Sequence, residues 1–184
     1  MSIDGKKIYL RPMELEDMEC YREMINDYSI SKNVVGWSFP VSKQEQMKWY
    51  EKAIADKNNQ RFTVVMKESK KAVGMVTLTE IDWQNRSATH GIKLHTECPK
   101  GQGIGTDAVM TLMKYAFEEV NLHRLNGGRI SYNISSKKLY EKCGWKEEGI
   151  QKEAIFRDGQ YHDYIVMGIL KNEYLEVKKR LNWL

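Results

Sequence analysis

Three glycines at alternate positions, in the run Lys100-Gly101-Gln102-Gly103-Ile104-Gly105-Thr106, stand between a strand pattern and the strongest helix pattern of the chain. Residues 87–95 read as the strand. Residues 106–120 read as the helix, with Val109, Leu112, Met113, Ala116, Phe117 and Val120 on one face. Residues 123–132 read as a second strand, weakened by Gly127-Gly128. A strand, a crossover helix and another strand make two parallel neighbours in one sheet. Every other element has to be added to that unit.

The flanking elements make the sheet mixed. Residues 7–11 read as a short strand ending at Pro12, and residues 14–28 as a helix with Leu15, Met18, Tyr21, Ile25 and Tyr28 at helical spacing. Residues 29–42 form a loop. Ser42 is an N-cap with Glu45 three residues on, the pattern of a capping box, and opens a helix to about residue 56. Residues 61–67, 71–82 and 87–95 are strands with short connections, as in an antiparallel meander. Residues 135–142 form a short helix ended by Gly144. Residues 145–156 and 161–170 are strands joined at Arg157-Asp158-Gly159-Gln160, where Asp-Gly signals a hairpin. Residues 173–181 form a terminal helix. With no internal repeat and no linker, the expectation is one α/β domain over residues 1–184: a mixed, mostly antiparallel sheet flanked by helices around a central parallel crossover.

Composition removes several function classes. With 41% apolar and 29% charged residues in 184, the chain can build a core and is not a disordered tail. No apolar run approaches the roughly 20 residues of a membrane span, and residues 1–10 hold no signal-length apolar stretch, so a cytoplasmic protein is expected. Net charge is +4 and mixed along the chain. Lys178-Lys179-Arg180 reads as the solvated face of the last helix, so no nucleic-acid partner is expected. Cys20, Cys98 and Cys143 form no disulfide framework and no CxxC pair. The four histidines make no HExxH motif, so no metal is expected.

The glycine run carries the chemistry. Glycines let the backbone approach a ligand closely, and the first N–H groups of the following helix are unpaired and at the positive end of its dipole. Together they suit a phosphate. Gly105 is followed by Thr106 with no lysine, which argues against a nucleoside triphosphate loop. The spacing GxGxG, with Asn126 and Gly127 on the next strand, argues against a dinucleotide fold.

The run resembles the acyl-CoA pyrophosphate loop of the GNAT superfamily of N-acetyltransferases, [Q/R]xxGxG/A, with Lys100 in place of Gln or Arg. Residues 133–145, Asn-Ile-Ser-Ser-Lys-Lys-Leu-Tyr-Glu-Lys-Cys-Gly-Trp, resemble that family's NxxSxxLYEKxGF segment. Residues 156–163 resemble the late hairpin, and Leu10-Arg11-Pro12 with Glu16-Asp17 the opening, of the branch that holds ribosomal-protein N-terminal and polyamine acetyltransferases. The resemblance spans nearly the whole chain. It implies an acetyl-CoA-dependent N-acetyltransferase acting by direct attack of a primary amine.

That chemistry requires a neutral amine, although an alkyl amine has a pKa near ~10.4. It also requires a proton for the leaving thiolate. The resemblance implies that Tyr140 donates this proton. It implies that the pyrophosphate sits on Lys100, Gly101, Gln102, Gly103, Ile104, Gly105 and Thr106. The pantetheine arm would pair with the strand edge at Ile92, Leu94 and His95, where that strand splays from its parallel neighbour. Asn133 and Ser136 would hold the arm or cap their helix. Many relatives carry a Glu at the position of Thr89. In its absence the base is Glu80, which resembles a Glu of the polyamine branch, or His90, or a water chain. The acceptor pocket is expected at the residue 29–42 loop and the residue 157–161 hairpin, with Trp37 and Phe39, as pocket walls or core plugs, and Tyr161 as candidate acceptor residues.

The acceptor is a polyamine, a protein N-terminus or an amino sugar, since residues 42–49 also resemble enzymes acting on nucleotide-linked amino sugars. A polyamine site needs carboxylates, and Glu14, Glu16, Asp17, Glu45 and Asp82 are available. The alternative is a non-catalytic acyl-CoA-binding or regulatory module on the same fold. A late edge strand would allow a homodimer.

Overall fold

The computed structural model describes residues 2–36 and 39–183. The strands are β1 (Ile3–Asp4), β2 (Ile8–Pro12), β3 (Gln60–Met66), β4 (Ala72–Asp82), β5 (Ser87–Leu94), β6 (Arg124–Ile130), β7 (Lys146–Arg157) and β8 (Gln160–Leu170). The helices are α1 (Met18–Asn26), α2 (Tyr28–Ser31), α3 (Lys43–Ala55), α4 (Ile104–Lys114), α5 (Ile134–Lys142) and α6 (Lys171–Arg180). One sheet runs in the order β1-β2-β3-β4-β5-β6-β8-β7. All its pairings are antiparallel except β5 with β6.

Both faces of the sheet are covered. On one, α4 lies over β2 and β4 and buries Val109, Met110, Leu112 and Met113 in the main core with Ile8, Leu10, Val76 and Leu78. On the other, α1 lies over β4 and α3 packs against α1, around a smaller cluster of Met13, Met18, Tyr21, Met24 and Ala53. Asp17, buried at the start of α1, ties this layer to β2. It receives two hydrogen bonds from Arg11, at 2.6 and 2.8 Å, and one from the Thr63 hydroxyl at 2.7 Å. Burial opposes its charge, but these donors and the Glu14 N–H outweigh it and hold the carboxyl below its ordinary range.

Asp107 does the same work on the other face. It is buried in the first turn of α4 and accepts hydrogen bonds from the backbone N–H groups of Lys6, Lys7 and Ile8. Removing it strands donors of the β1–β2 turn and cuts α4 from the sheet edge. Asp107→Ala is expected to cost about 3 kcal/mol, read as a lower denaturant midpoint at unchanged slope. An unchanged midpoint would refute this role.

Besides the unexpected two-residue strand β1, the elements differ from expectation in three places. The helix expected over residues 14–28 breaks, because Asp27 is extended (φ −80°, ψ 111°) and caps the next turn by accepting from Ser29 N–H. The short α2 therefore occupies part of the expected loop, and Leu15 and Tyr28 are exposed. The long helix begins two residues early, at Ile104, because Gly103 adopts a left-handed N-cap (φ 80°), and it ends in a π-turn at Tyr115–Glu119. Third, Gly127-Gly128 does not weaken β6, which pairs with β8 along its whole length. The Ser42–Glu45 capping box forms as expected. No helix among the described residues is long and apolar enough to cross a membrane. The three cysteines are free, and no group of three potential metal ligands occurs among the described residues.

Candidate active site

The parallel ladder between β5 and β6 has only three rungs: Ser87 with Arg124, Ala88 with Leu125, and Thr89 with Asn126. Beyond them the strands part, and a cleft of about 1090 Å³ opens. The two glycines of β6 explain how the sheet closes around it. A Cβ on Gly127 would lie 3.2 Å from the Trp145 ring, and one on Gly128 would fall 2.2 Å from the Tyr164 ring. Both positions are bare so that an aromatic ring can rest on each face of the strand.

One end of the cleft is the glycine run. Gly101 and Gly103 are left-handed, at φ 74° and 80°, and a Cβ on either would meet nothing within 4 Å. Both line the cleft, with Lys100, Gly105 and Thr106. The N–H groups of Ile104, Gly105 and Thr106, at the start of α4, have no acceptor within the helix. Ile104 adds backbone only, since its side chain is buried in the core. Gln102 is the exception in this run: it does not line the cleft, and its carbonyl accepts from Lys7 Nζ at 2.7 Å.

Along one wall run Ile92, Leu94 and His95. Past Thr89, backbone groups of β5 on the β6 side have no strand to pair with. His95 is also held by Glu23 at 3.3 Å. Lys93, on the same strand, lines the cleft with no ion-pair partner among the described residues, and burial pushes its pKa down. Sequence reasoning passed over it because a lysine on a strand reads as a solvated residue.

The opposite wall is the start of α5. Asn133 caps that helix, accepting from Ser136 N–H at 2.9 Å, and its amide donates to the Asn33 carbonyl at 3.0 Å. Its side chain is thus committed at both ends, while Ser136 lines the cleft. Two turns on, Tyr140 is buried, and its hydroxyl lies 3.1 Å from His90 Nδ1. The rings of His90, Tyr140 and Trp145 meet edge to face, with centroids 5.0 to 5.7 Å apart. Burial pushes the Tyr140 hydroxyl well above its ordinary pKa. It pushes the imidazole down to about 4, and a contact with its own backbone carbonyl recovers only part of that. His90 is therefore a neutral, enclosed residue and not the exposed strand base that its pKa in water suggests.

Glu80 stands at the rim. β4 bulges between Thr79 and Asp82, and Glu80 sits in the bulge with φ 52°, its N–H bonded to Asn59 at 2.8 Å. Its carboxylate accepts from the Thr89 hydroxyl at 2.7 Å. A carboxylate thus reaches residue 89 from the neighbouring strand. Thr79, Thr89 and Tyr164 continue the wall inward.

The roof is α2 and the segment after it. Ser29, Ile30, Asn33, Val34 and Val35 line it. It is pinned by Tyr132 donating to the Lys32 carbonyl and by Arg157 donating to the Val34 carbonyl. Tyr132 and Tyr164 were missed from sequence, although Tyr132 directly precedes the Asn133 stretch.

Two expected acceptor residues are corrected. Phe39 is 67% exposed and does not line the cleft. Tyr161 is 64% exposed beside the hairpin turn, where its ring pairs with Phe156 at 5.0 Å outside the cleft. Trp37 lies outside the described residues. The carboxylates available for a polyamine are not gathered either. Asp17 is taken by Arg11, Glu45 by its capping box and Asp82 by Asn85, and neither Glu14 nor Glu16 lines the cleft.

A glycine-rich helix start, an unpaired strand edge and a buried tyrosine in one cleft match the family suggested by the sequence. Residues 7–146 match the family model of the acetyltransferase (GNAT) domain. The chain belongs to that family. It is accordingly an acetyl-CoA-dependent N-acetyltransferase.

Full-length relatives agree. The chain is 31% identical over 174 residues to a spermidine N(1)-acetyltransferase of Vibrio cholerae, covering 93% of this chain and 97% of that one. It is 31% identical to the Escherichia coli protein of the same name, covering 94% and 90%. A crystal structure of the Vibrio cholerae spermidine N-acetyltransferase in complex with CoA and spermine superposes with a TM-score of 0.85 at 31% identity, covering 92% of this chain and 98% of that one.

Proposed function

We propose that the acceptor is a polyamine-type primary amine, acetylated by direct attack with Tyr140 as general acid and Glu80 as the carboxylate that receives the ammonium group. The observation that carries this reading is the juxtaposition where β5 and β6 part. The Tyr140 hydroxyl lies inside the cleft wall, and the Glu80–Thr89 contact stands at its rim. The likeness to spermidine acetyltransferases supports the acceptor class.

In this reading Gly101, Gly103 and the start of α4 hold the donor's pyrophosphate, and the free edge of β5 pairs with its arm. Glu80 draws the cationic amine to the rim, where water carries off the proton that attack requires. Tyr140 protonates the departing sulfur. A homodimer through β7 belongs to the same proposal: β7 is the outer strand, and its residues are exposed over most of its length.

One observation favours a second acceptor, an amino sugar attached to a nucleotide. No Asp or Glu occurs among the described residues lining the cleft, whereas Lys93 and Arg129 do. An amine panel with thiol release as readout separates the two. Turnover on spermidine and spermine is expected, with Glu80→Gln raising the KM for them about tenfold at little change in the KM for acetyl-CoA. Turnover confined to the sugar nucleotide would overturn the polyamine reading. Binding of acetyl-CoA without turnover on any amine would favour the regulatory module.

A further inference from the structure

We infer that His90 is a positioning residue for the transfer, donating its Nδ1–H to the Tyr140 oxygen so that the phenolic proton faces the cleft. This rests on the reading of Tyr140 as general acid.

His90 is an unexpected residue for its place. It pairs with Leu78 across the β4–β5 ladder and is only 4% exposed, one residue beyond the last rung to β6. An apolar side chain would fill that space without the cost of burying a polar group. Its Nδ1 lies 3.1 Å from the Tyr140 hydroxyl, while Nε2 is buried with no partner among the described residues. A neutral imidazole carries one proton. Placed on Nε2, it would be an enclosed donor with no acceptor; placed on Nδ1, the Nε2 lone pair goes unmet, which buried sites tolerate better, and the Tyr140 proton is left to the cleft that Tyr140 lines. The second tautomer makes Nδ1–H the donor and the Tyr140 oxygen the acceptor. No other acceptor for the Tyr140 proton occurs among the described residues, and Tyr140 lines the cleft. The edge-to-face contacts with Trp145 fix both rings in this arrangement.

The consequence is chemical. As the carbon–sulfur bond breaks and its electron pair passes to sulfur, Tyr140 gives that sulfur its hydroxyl proton and keeps the O–H pair as phenolate. Burial makes a bare phenolate costly here. The Nδ1–H of His90 stays bonded to it until a solvent proton restores the phenol, which balances the proton that the amine released to solvent. A charge-assisted hydrogen bond of this kind is stronger than the neutral one it replaces, so the contact favours the transfer over the resting state.

The test is a double-mutant cycle by thiol release with melting curves alongside. His90→Phe keeps the ring packing and removes the donor. It is expected to lower kcat about ten- to a hundredfold, with the KM for acetyl-CoA within about twofold of the starting value. His90→Asn, which offers an amide N–H near the position of Nδ1, is expected to restore part of the loss. In a Tyr140→Phe background, His90→Phe is expected to cause no further loss, which a merely structural role would not produce. The inference is overturned if His90→Phe turns over like the parent, or if the double variant loses the product of both single effects. A Tyr140→Phe protein with full turnover removes the general acid itself, and that outcome is distinct from a cycle that fails only at His90. Should His90→Phe not fold, His90→Leu carries the same comparison.

Discussion

Tyr140→Phe lowers turnover about a hundredfold or more and leaves acetyl-CoA affinity within about twofold. The substitution takes away one hydroxyl and nothing else in the cleft wall. The ring keeps its edge-to-face contacts with His90 and Trp145. The groups that would hold the donor lie elsewhere, at the glycine run and along β5. The effect should therefore fall on kcat. The hydroxyl's partner is His90 Nδ1, and losing that single buried bond costs about 1–3 kcal/mol, too little to unfold a domain of ordinary stability. Calorimetry with CoA and thiol release at saturating amine give the two numbers separately. Unchanged kcat would remove Tyr140 from the proton path. A parallel loss of affinity would mean that the hydroxyl anchors the donor rather than the proton.

What the sequence exposed, and what it hid, follows from the range of the interactions involved. The glycine run was legible because left-handed backbone at Gly101 and Gly103 is a local property that few residues tolerate. The Ser42–Glu45 cap and the Asp158-Gly159 turn were legible for the same reason. The break at Asp27 was not, because apolar residues continue at helical spacing through it, and only the aspartate's bond to Ser29 reveals the new cap. Gly127-Gly128 was misread as weakness, since the rings of Trp145 and Tyr164 that need the space arrive from distant parts of the chain. His90 was hidden most thoroughly. Whether a histidine on a strand is a solvated base or an enclosed partner depends on Tyr140, 50 residues away. The placement of Phe39 and Tyr161 has the same root: one is in a loop and the other beside a hairpin turn, and no local pattern says which way such a segment faces.

Gly103→Asp abolishes measurable acetyl-CoA binding while the fold survives. Gly103 is the N-cap of α4 in a left-handed conformation, and a Cβ there projects into open space rather than into protein. Aspartate is among the residues that tolerate this conformation, so the strain is about 1 kcal/mol. Its carboxylate would meet the unpaired N–H groups that begin α4 and cap them, which offsets part of that strain. The same contact occupies the site that a pyrophosphate needs and sets a negative charge against it. Affinity is expected to fall more than about a hundredfold, with melting shifted by only a few degrees. Gly103→Ala separates charge from backbone: it carries the strain without the carboxylate, and its affinity should stay within about tenfold. Calorimetry with CoA on the three proteins decides the matter. Normal binding by the aspartate variant would make the glycine run a turn and nothing more. Equal losses in both variants would show that the left-handed backbone, and not the open space before the helix, is what binding requires.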